Sequence, residues 1–85
     1  MSSFVVENLS DAPMRVAIEP WAEAVTLAPM EKLTFECADD PQPDIAVSYA
    51  EAGLVFVSLI AAEIRITLPD ASEMQFDFYA LMGRE

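Results

Sequence analysis

The sequence contains no histidine and only one cysteine, Cys37, and these shortages remove most of the side-chain chemistry that enzymes use. A Ser–His–Asp triad needs a histidine base, and a cysteine nucleophile needs a neighbouring base that lowers the pKa of its thiol. We therefore expect no catalytic residues. A single cysteine also cannot form an internal disulfide, which favours a reducing compartment and a cytoplasmic location. The first residues, Met1 to Glu7, lack the basic and apolar regions of a signal peptide.

Basic residues are scarce as well. Four Lys and Arg stand against 15 Asp and Glu, which gives a net charge of −11. Such a chain repels nucleic acid and anionic lipid headgroups, so we expect neither as a partner. It attracts basic proteins. The alternative is that the acidity only keeps an apolar-rich domain soluble.

Long apolar runs are also missing, although 54% of the residues are hydrophobic. The longest stretch without a charge, Ala52 to Ala62, is too short to cross a bilayer. The high apolar fraction argues against disorder. A chain of 85 residues has room for one domain, which we place at 1–85.

Short apolar alternations recur about every ten residues, and turn signals separate them. The predicted strands are Phe4–Leu9, Met14–Glu19, Ala24–Leu27, Lys32–Cys37, Ile45–Ala50, Leu54–Ile60, Glu63–Leu68 and Met74–Tyr79. Glu51-Ala52-Gly53 is expected to form a hairpin connection, in which Gly53 supplies a positive φ. No convincing crossover helix separates the strands, so antiparallel pairing is expected. The sequence predicts an all-β fold, an antiparallel β-sandwich of seven to eight short strands, either immunoglobulin-like or cupredoxin-like. The His ligands of a cupredoxin copper site are absent, so no metal site is carried over.

Three segments carry more specific expectations. Leu33, Phe35 and Cys37 alternate with polar residues and should face the core. Leu54–Ile60 is apolar on both faces apart from one serine, which suits a strand covered on both sides, at the sandwich centre or against another subunit. Residues 72–82 fit a helix with a capping box at Ser72 and a C-cap at Gly83, but the period-two aromatics favour a strand there.

Only one loop concentrates acids. Asp39, Asp40 and Asp44 could offer oxygen ligands to Ca²⁺, but their spacing matches no EF-hand and the intervening prolines restrict closure. Solvated loop acids are the better interpretation, so we expect no metal and no cofactor. Cys37 is interpreted as a small buried hydrophobic residue.

The candidate partner-binding residues begin with Trp21, which follows Pro20 at a turn between two strands. Tryptophan is enriched at binding hot spots, so Trp21 could anchor a partner. It could instead cover core side chains at one end of the fold, and this structural interpretation is favoured. The acids that could meet a basic partner are Glu19, Glu23, Asp39, Asp40 and Asp44.

One sequence pattern resembles that of small uncharacterised bacterial β proteins. It runs over about residues 4–37 and comprises Asn8, Ser10, Pro13, Met14, Val16, the Ile18-Glu19-Pro20-Trp21 segment, Leu27 and Pro29. Those proteins usually carry Gly after the proline that corresponds to Pro29, where this chain has Met30. The resemblance implies a β-sandwich arm and no particular activity.

The leading hypothesis for function is a non-catalytic protein-binding or assembly module, which could form a homo-oligomer through Leu54–Ile60. The alternative is an acidic inhibitor or immunity-type protein that neutralises a basic nuclease or DNA-binding protein.

Overall fold

A computed structural model describes residues 1–51 and 53–82 of the chain. This part contains eight strands and one short helix. They are β1 (Ser2–Glu7), β2 (Met14–Glu19), β3 (Glu23–Leu27), β4 (Lys32–Cys37), β5 (Asp44–Glu51), β6 (Leu54–Ile60), β7 (Ile64–Thr67), β8 (Glu73–Phe76) and α1 (Phe78–Leu81). The all-β prediction is confirmed. The helix of this part lacks the length and hydrophobicity that crossing a membrane requires.

The strands form two four-stranded sheets, with orders β1-β4-β7-β8 and β3-β2-β6-β5. Pairing is antiparallel at five of the six interfaces between the described strands, but β2 and β6 are parallel. The prediction of wholly antiparallel pairing was therefore wrong at this pair. Parallel neighbours need a long connection, and here three intervening strands provide it in place of a helix.

Side chains from both sheets share one buried cluster. Leu33, Phe35 and Cys37 of β4 are fully buried, as their alternation predicts. Phe4 of β1 stacks on Phe35 with ring centroids 4.5 Å apart. The other buried hydrophobic residues are Val16, Ile18, Leu27, Val55, Val57, Leu59, Ala61, Ile64 and Ile66.

Within this chain Leu54–Ile60 is fully buried on one face only. Val55, Val57 and Leu59 are buried, whereas on the other face Leu54 and Phe56 are half-buried and Ser58 and Ile60 are exposed. Because β2 and β5 flank β6, this strand also has no free edge for a second chain.

The C-terminal part differs from the predicted strand Met74–Tyr79. The strand β8 ends at Phe76, and Phe78 and Tyr79 belong to α1. Asp77 is the N-cap, since its carboxylate accepts hydrogen bonds from the backbone N–H groups of Tyr79 and Ala80 at 2.9 and 3.2 Å. This satisfies two donors of the first turn and ends the extended run.

The capping box of the alternative, helical interpretation of residues 72–82 is not formed at Ser72. The Ser72 hydroxyl instead donates to the Asp70 carboxylate at 2.6 Å in the turn before β8. Gly83, the C-cap of that alternative, lies outside the described residues, as does Ala52. Gly53 between β5 and β6 has a φ of 78°, as predicted.

A buried asparagine organises the connection between β1 and β2. Asn8 is only 1% exposed, and its amide group donates to the carbonyls of Ala12 and Leu27 at 2.8 and 3.0 Å. Its carbonyl oxygen accepts from the backbone N–H and the hydroxyl of Ser10 at 3.0 and 2.7 Å. Asn8 and Ser10 of the sequence pattern therefore have a structural role, because a buried amide must be hydrogen-bonded.

Candidate functional site

All six predicted partner-binding residues lie at the same end of the fold. Glu23 follows the turn after β2 and pairs with Ile18, Glu19 lies opposite Ser58, and Asp44 lies opposite Ile60. Ile18, Ser58 and Ile60 stand near the C-terminal ends of two parallel strands, so these acids share one end of the sheet.

The other predicted residues join this end through the connections between strands. Asp39 and Asp40 follow β4 and precede β5, and Trp21 stands in the turn between β2 and β3. The backbone N–H of Ala38 donates to the Ala62 carbonyl at 3.1 Å, which ties the loop after β4 to the loop after β6. We call this region the acidic end and define it by Glu19, Glu23, Asp39, Asp40 and Asp44.

The acidic end has further charges of both signs around it. Glu63 and Asp77 lie in the connections after β6 and β8 at the same end. The N-terminal amine of Met1 pairs with Asp39 there, and Arg65 at the start of β7 pairs with Glu36. No Lys or Arg occurs from Leu33 to Ile64. The opposite end carries the acids Glu7, Asp11, Glu31, Glu51, Asp70 and Glu73, and also Arg15 and Lys32. Acids and positive charges therefore occupy both ends of the fold.

Asp39 is held by the start of the chain. Its carboxylate accepts hydrogen bonds from the N-terminal amine of Met1 and from the Ser2 hydroxyl, the latter at 2.6 Å. These bonds lower the pKa of Asp39 from its ordinary value of 3.8, the amine having the larger effect. Across residues 1–51 and 53–82, no three acids or cysteines converge as a group that could hold a metal ion. The arrangement at Asp39 fastens β1 to the loop after β4.

Trp21 packs on the protein itself. Its ring is half-buried and stacks on Phe76 of β8, with centroids 4.6 Å apart and planes inclined by 30°. It also contacts the buried cluster. The side chain therefore joins the turn after β2 in one sheet to the last residue of β8 in the other, which is the structural role considered for it above.

Cys37 has no exposed surface. Burial raises the pKa of its thiol above the ordinary value of 9.0, and the nearby negative charge of Asp39 adds to the increase. A thiol that is buried and protonated at neutral pH is a poor nucleophile.

A depression with a volume of about 560 Å³ lies on the outer side of β7 and β8. Glu36 and Arg65 line it and pair across β4 and β7, with the Arg65 Nε 3.1 Å from a Glu36 carboxylate oxygen. Its other polar lining residues include Gln75, Glu63 and Asp77. The charges of Arg65 and Glu36 thus compensate each other, and the pair supports the sheet.

The most unusual surface is one that the sequence interpretation missed. Strand β5 is the outermost strand of its sheet, with β6 on one side only. Its residues from Ile45 to Tyr49 are uncharged, and we call this segment the β5 edge. Ile45, Val47 and Tyr49 lie opposite buried residues of β6 and so point to the core side. Nevertheless Val47 is 49% exposed and Tyr49 is 82% exposed.

The comparison of β5 with β4 shows why the β5 edge was missed. Both have apolar residues at alternate positions, and both patterns predict a half-buried strand. Strand β4 lies between β1 and β7, whereas β5 has one neighbour. Periodicity reports which side chains share a face, and it does not report whether a strand is central.

Comparisons of the chain with protein-family models, with curated proteins and with solved structures find no match.

Proposed function

We propose that this protein is a non-catalytic protein-binding or assembly module, and that the β5 edge is where a strand of another protein adds to its sheet. The observation that carries the proposal is an eight-residue edge strand with an uncharged centre and uncovered Val47 and Tyr49. We further infer a cytoplasmic location, supported by the single free cysteine.

The same proposal includes the finer description of the fold. We infer that the two sheets pack face to face as a β-sandwich of immunoglobulin-like or cupredoxin-like type. The shared buried cluster supports this, because Ile18 and Val57 come from one sheet, and Phe35 and Ile66 from the other.

A strand of another protein can pair with the free side of an edge strand. An outermost strand presents unpaired backbone N–H and C=O groups, and proteins usually protect them with short strands, charges or proline. The other edge strands are shorter, with six residues in β1, five in β3 and four in β8. Strand β5 has eight residues, no proline, and acids only at its two ends. An added strand would gain main-chain hydrogen bonds, and its alternate side chains would cover Val47 and Tyr49.

The test is a lysine on the β5 edge. An inward-pointing charge blocks edge pairing, so Val47→Lys should abolish capture of the partner that the wild-type domain retains from a lysate of its source organism. Val5→Lys is the matched control, because Val5 lies on the edge strand β1 and is 51% exposed against 49% for Val47. Both variants add the same charge. Equal capture by the two variants would refute strand addition at β5.

A second candidate function is the acidic inhibitor, which the acidic end favours. Five acids separated by up to 25 positions in the sequence come to one end of the fold, with no Lys or Arg from Leu33 to Ile64. A surface of this kind attracts the basic site of a nuclease or DNA-binding protein.

This function predicts a different result in the same capture experiment. The variant in which Glu19, Glu23, Asp39, Asp40 and Asp44 are changed to the corresponding amides should lose the partner, while Val47→Lys should retain it. Neutralising five acids of the opposite end, Glu7, Asp11, Glu31, Asp70 and Glu73, is the control for the change in net charge. If both sets of substitutions weaken capture equally, the acidic end is not the binding surface.

A further inference from the structure

The charges that flank the β5 edge identify the chemistry of its occupant. We propose that the β5 edge binds an extended segment of another protein that has apolar residues on one face and a Lys or Arg at each end of the other face. This inference rests on the proposed strand addition at β5 and adds the composition of the partner.

A β-bulge places the two acids of β5 on the same face of the sheet. Asp44 lies opposite Ile60, and Glu51 lies opposite Leu54, with a register shift between Tyr49 and Glu51. Ile60 and Leu54 are six positions apart on β6, an even number, so both point to the same side. Without the shift, Glu51 would share the core side with Tyr49, because seven positions separate it from Asp44.

An added strand would therefore meet two distinct rows of side chains. On the core side it meets Ile45, Val47 and Tyr49, which call for apolar or β-branched residues at three alternate positions. On the outer side it meets Asp44 and Glu51 at its two ends, with Ala46 and Ser48 between them. Residues that face the two acids are six positions apart in the added strand, as Ile60 and Leu54 are in β6.

Charge complementarity selects a basic segment over a second copy of this chain. From Leu33 to Ile64, which includes the whole β5–β6 hairpin, the chain has no Lys or Arg. A second copy would bring another −11 charge and no basic residue on its own β5. Opposite charges across neighbouring strands are favourable and like charges are not, so Asp44 and Glu51 favour a basic-ended segment and disfavour self-association.

The experiment uses synthetic peptides and the intact, isotope-labelled protein. The first peptide has seven residues, with Arg at both ends, Val at the second, fourth and sixth positions, and Thr at the third and fifth. A second peptide has Gln in place of both arginines. Binding is followed by amide chemical shifts and hydrogen exchange of β5, and the oligomeric state is followed by light scattering.

We expect the Arg peptide to protect the β5 amides and to bind roughly 2- to 30-fold more tightly than the Gln peptide, the range that two cross-strand ion pairs give. Asp44→Asn combined with Glu51→Gln should remove that difference. Glu7→Gln combined with Glu73→Gln, which changes the net charge equally on the other sheet, should preserve it. High salt should reduce the preference for Arg.

Three results would overturn the inference. If both peptides protect β5 equally, strand addition stands and the basic partner does not. If the protein dimerises through β5 and neither peptide competes, the occupant is a second copy. If neither peptide protects β5 and the protein remains a monomer, the proposed function fails together with this inference.

Discussion

The turn between β3 and β4 offers a sharp test of the backbone geometry. The Glu31 N–H donates to the Ala28 carbonyl at 3.0 Å, with Pro29 second in the turn, and Met30 third with a φ of 71°. This is a type II turn, in which the third residue must have a positive φ and is usually Gly. The resemblance described above also places Gly at this position. We therefore expect Met30→Gly to stabilise the protein.

The expected size follows from two opposing terms. An L-residue in the left-handed region costs about 1.5 kcal/mol, and Gly relieves this cost. Gly also gains conformational freedom in the unfolded chain, which costs about 0.8 kcal/mol. The Met30 side chain is 68% exposed, so its removal sacrifices little burial. The net gain is about 0.7 kcal/mol, which raises Tm by about 3–6 °C in a domain of this size.

Urea and thermal unfolding followed by circular dichroism measure the gain. Ala28→Gly is the control, because Ala28 belongs to the same turn, is exposed, and has no positive φ. It should lower the free energy of unfolding, since it incurs the cost of Gly without relieving strain. If Met30→Gly destabilises the protein as much as Ala28→Gly does, the argument from the left-handed backbone is refuted.

Two further predictions concern the acidic end. Trp21→Ala should lower the free energy of unfolding by about 2–3 kcal/mol, because it removes a half-buried ring stacked on Phe76. Trp21→Phe should lower it less. If urea unfolding shows a loss below about 0.5 kcal/mol for Trp21→Ala, the structural role is contradicted. Asp39→Asn should destabilise the protein at pH 6, and the difference from wild type should shrink as pH falls below 3.8. The pKa of Asp39 is lowered from 3.8 in the folded state. The contribution of its carboxylate to the free energy of unfolding is therefore present above 3.8 and is lost as pH falls through the lower folded pKa. A difference between Asp39→Asn and wild type that stays constant with pH would contradict this.

The strand positions were predictable because local signals agree along most of the chain. The bounds of β2, β4 and β6 match their predicted ranges, and alternation identifies the buried face of β4 correctly. Phe78 and Tyr79 were wrongly assigned to a strand because the apolar alternation continues beyond Phe76. The Asp77 carboxylate accepts hydrogen bonds from backbone N–H groups, and these bonds start a helix there. A capping aspartate competes with extended structure through the backbone, which a count of apolar periods does not detect.

The shortage of glycine concealed several turns. The sequence has two glycines, yet Ala22, Met30, Glu63 and Ala71 also have positive φ values, between 50° and 71°. Turn prediction relies on Gly, Asn and Asp to identify left-handed positions. Ala and Met carry no such signal, so Gly53 was the one left-handed residue that the sequence analysis identified.

The acidic end depends only on the direction of successive strands, whereas the β5 edge depends on the order of the strands in their sheet. Connections after β2, β4, β6 and β8 lie at the same end, because each strand reverses the direction of the one before it. The acids near those connections would meet in any fold where the strands alternate in direction, so their clustering was predictable from strand number alone.

The β5 edge exists only because β6 pairs with β2 on its other side and leaves β5 outermost. Long-range pairing decides this, and no local pattern in Ile45–Tyr49 encodes it. Binding at β5 therefore tests the strand order itself, whereas binding at the acidic end would be compatible with several strand orders.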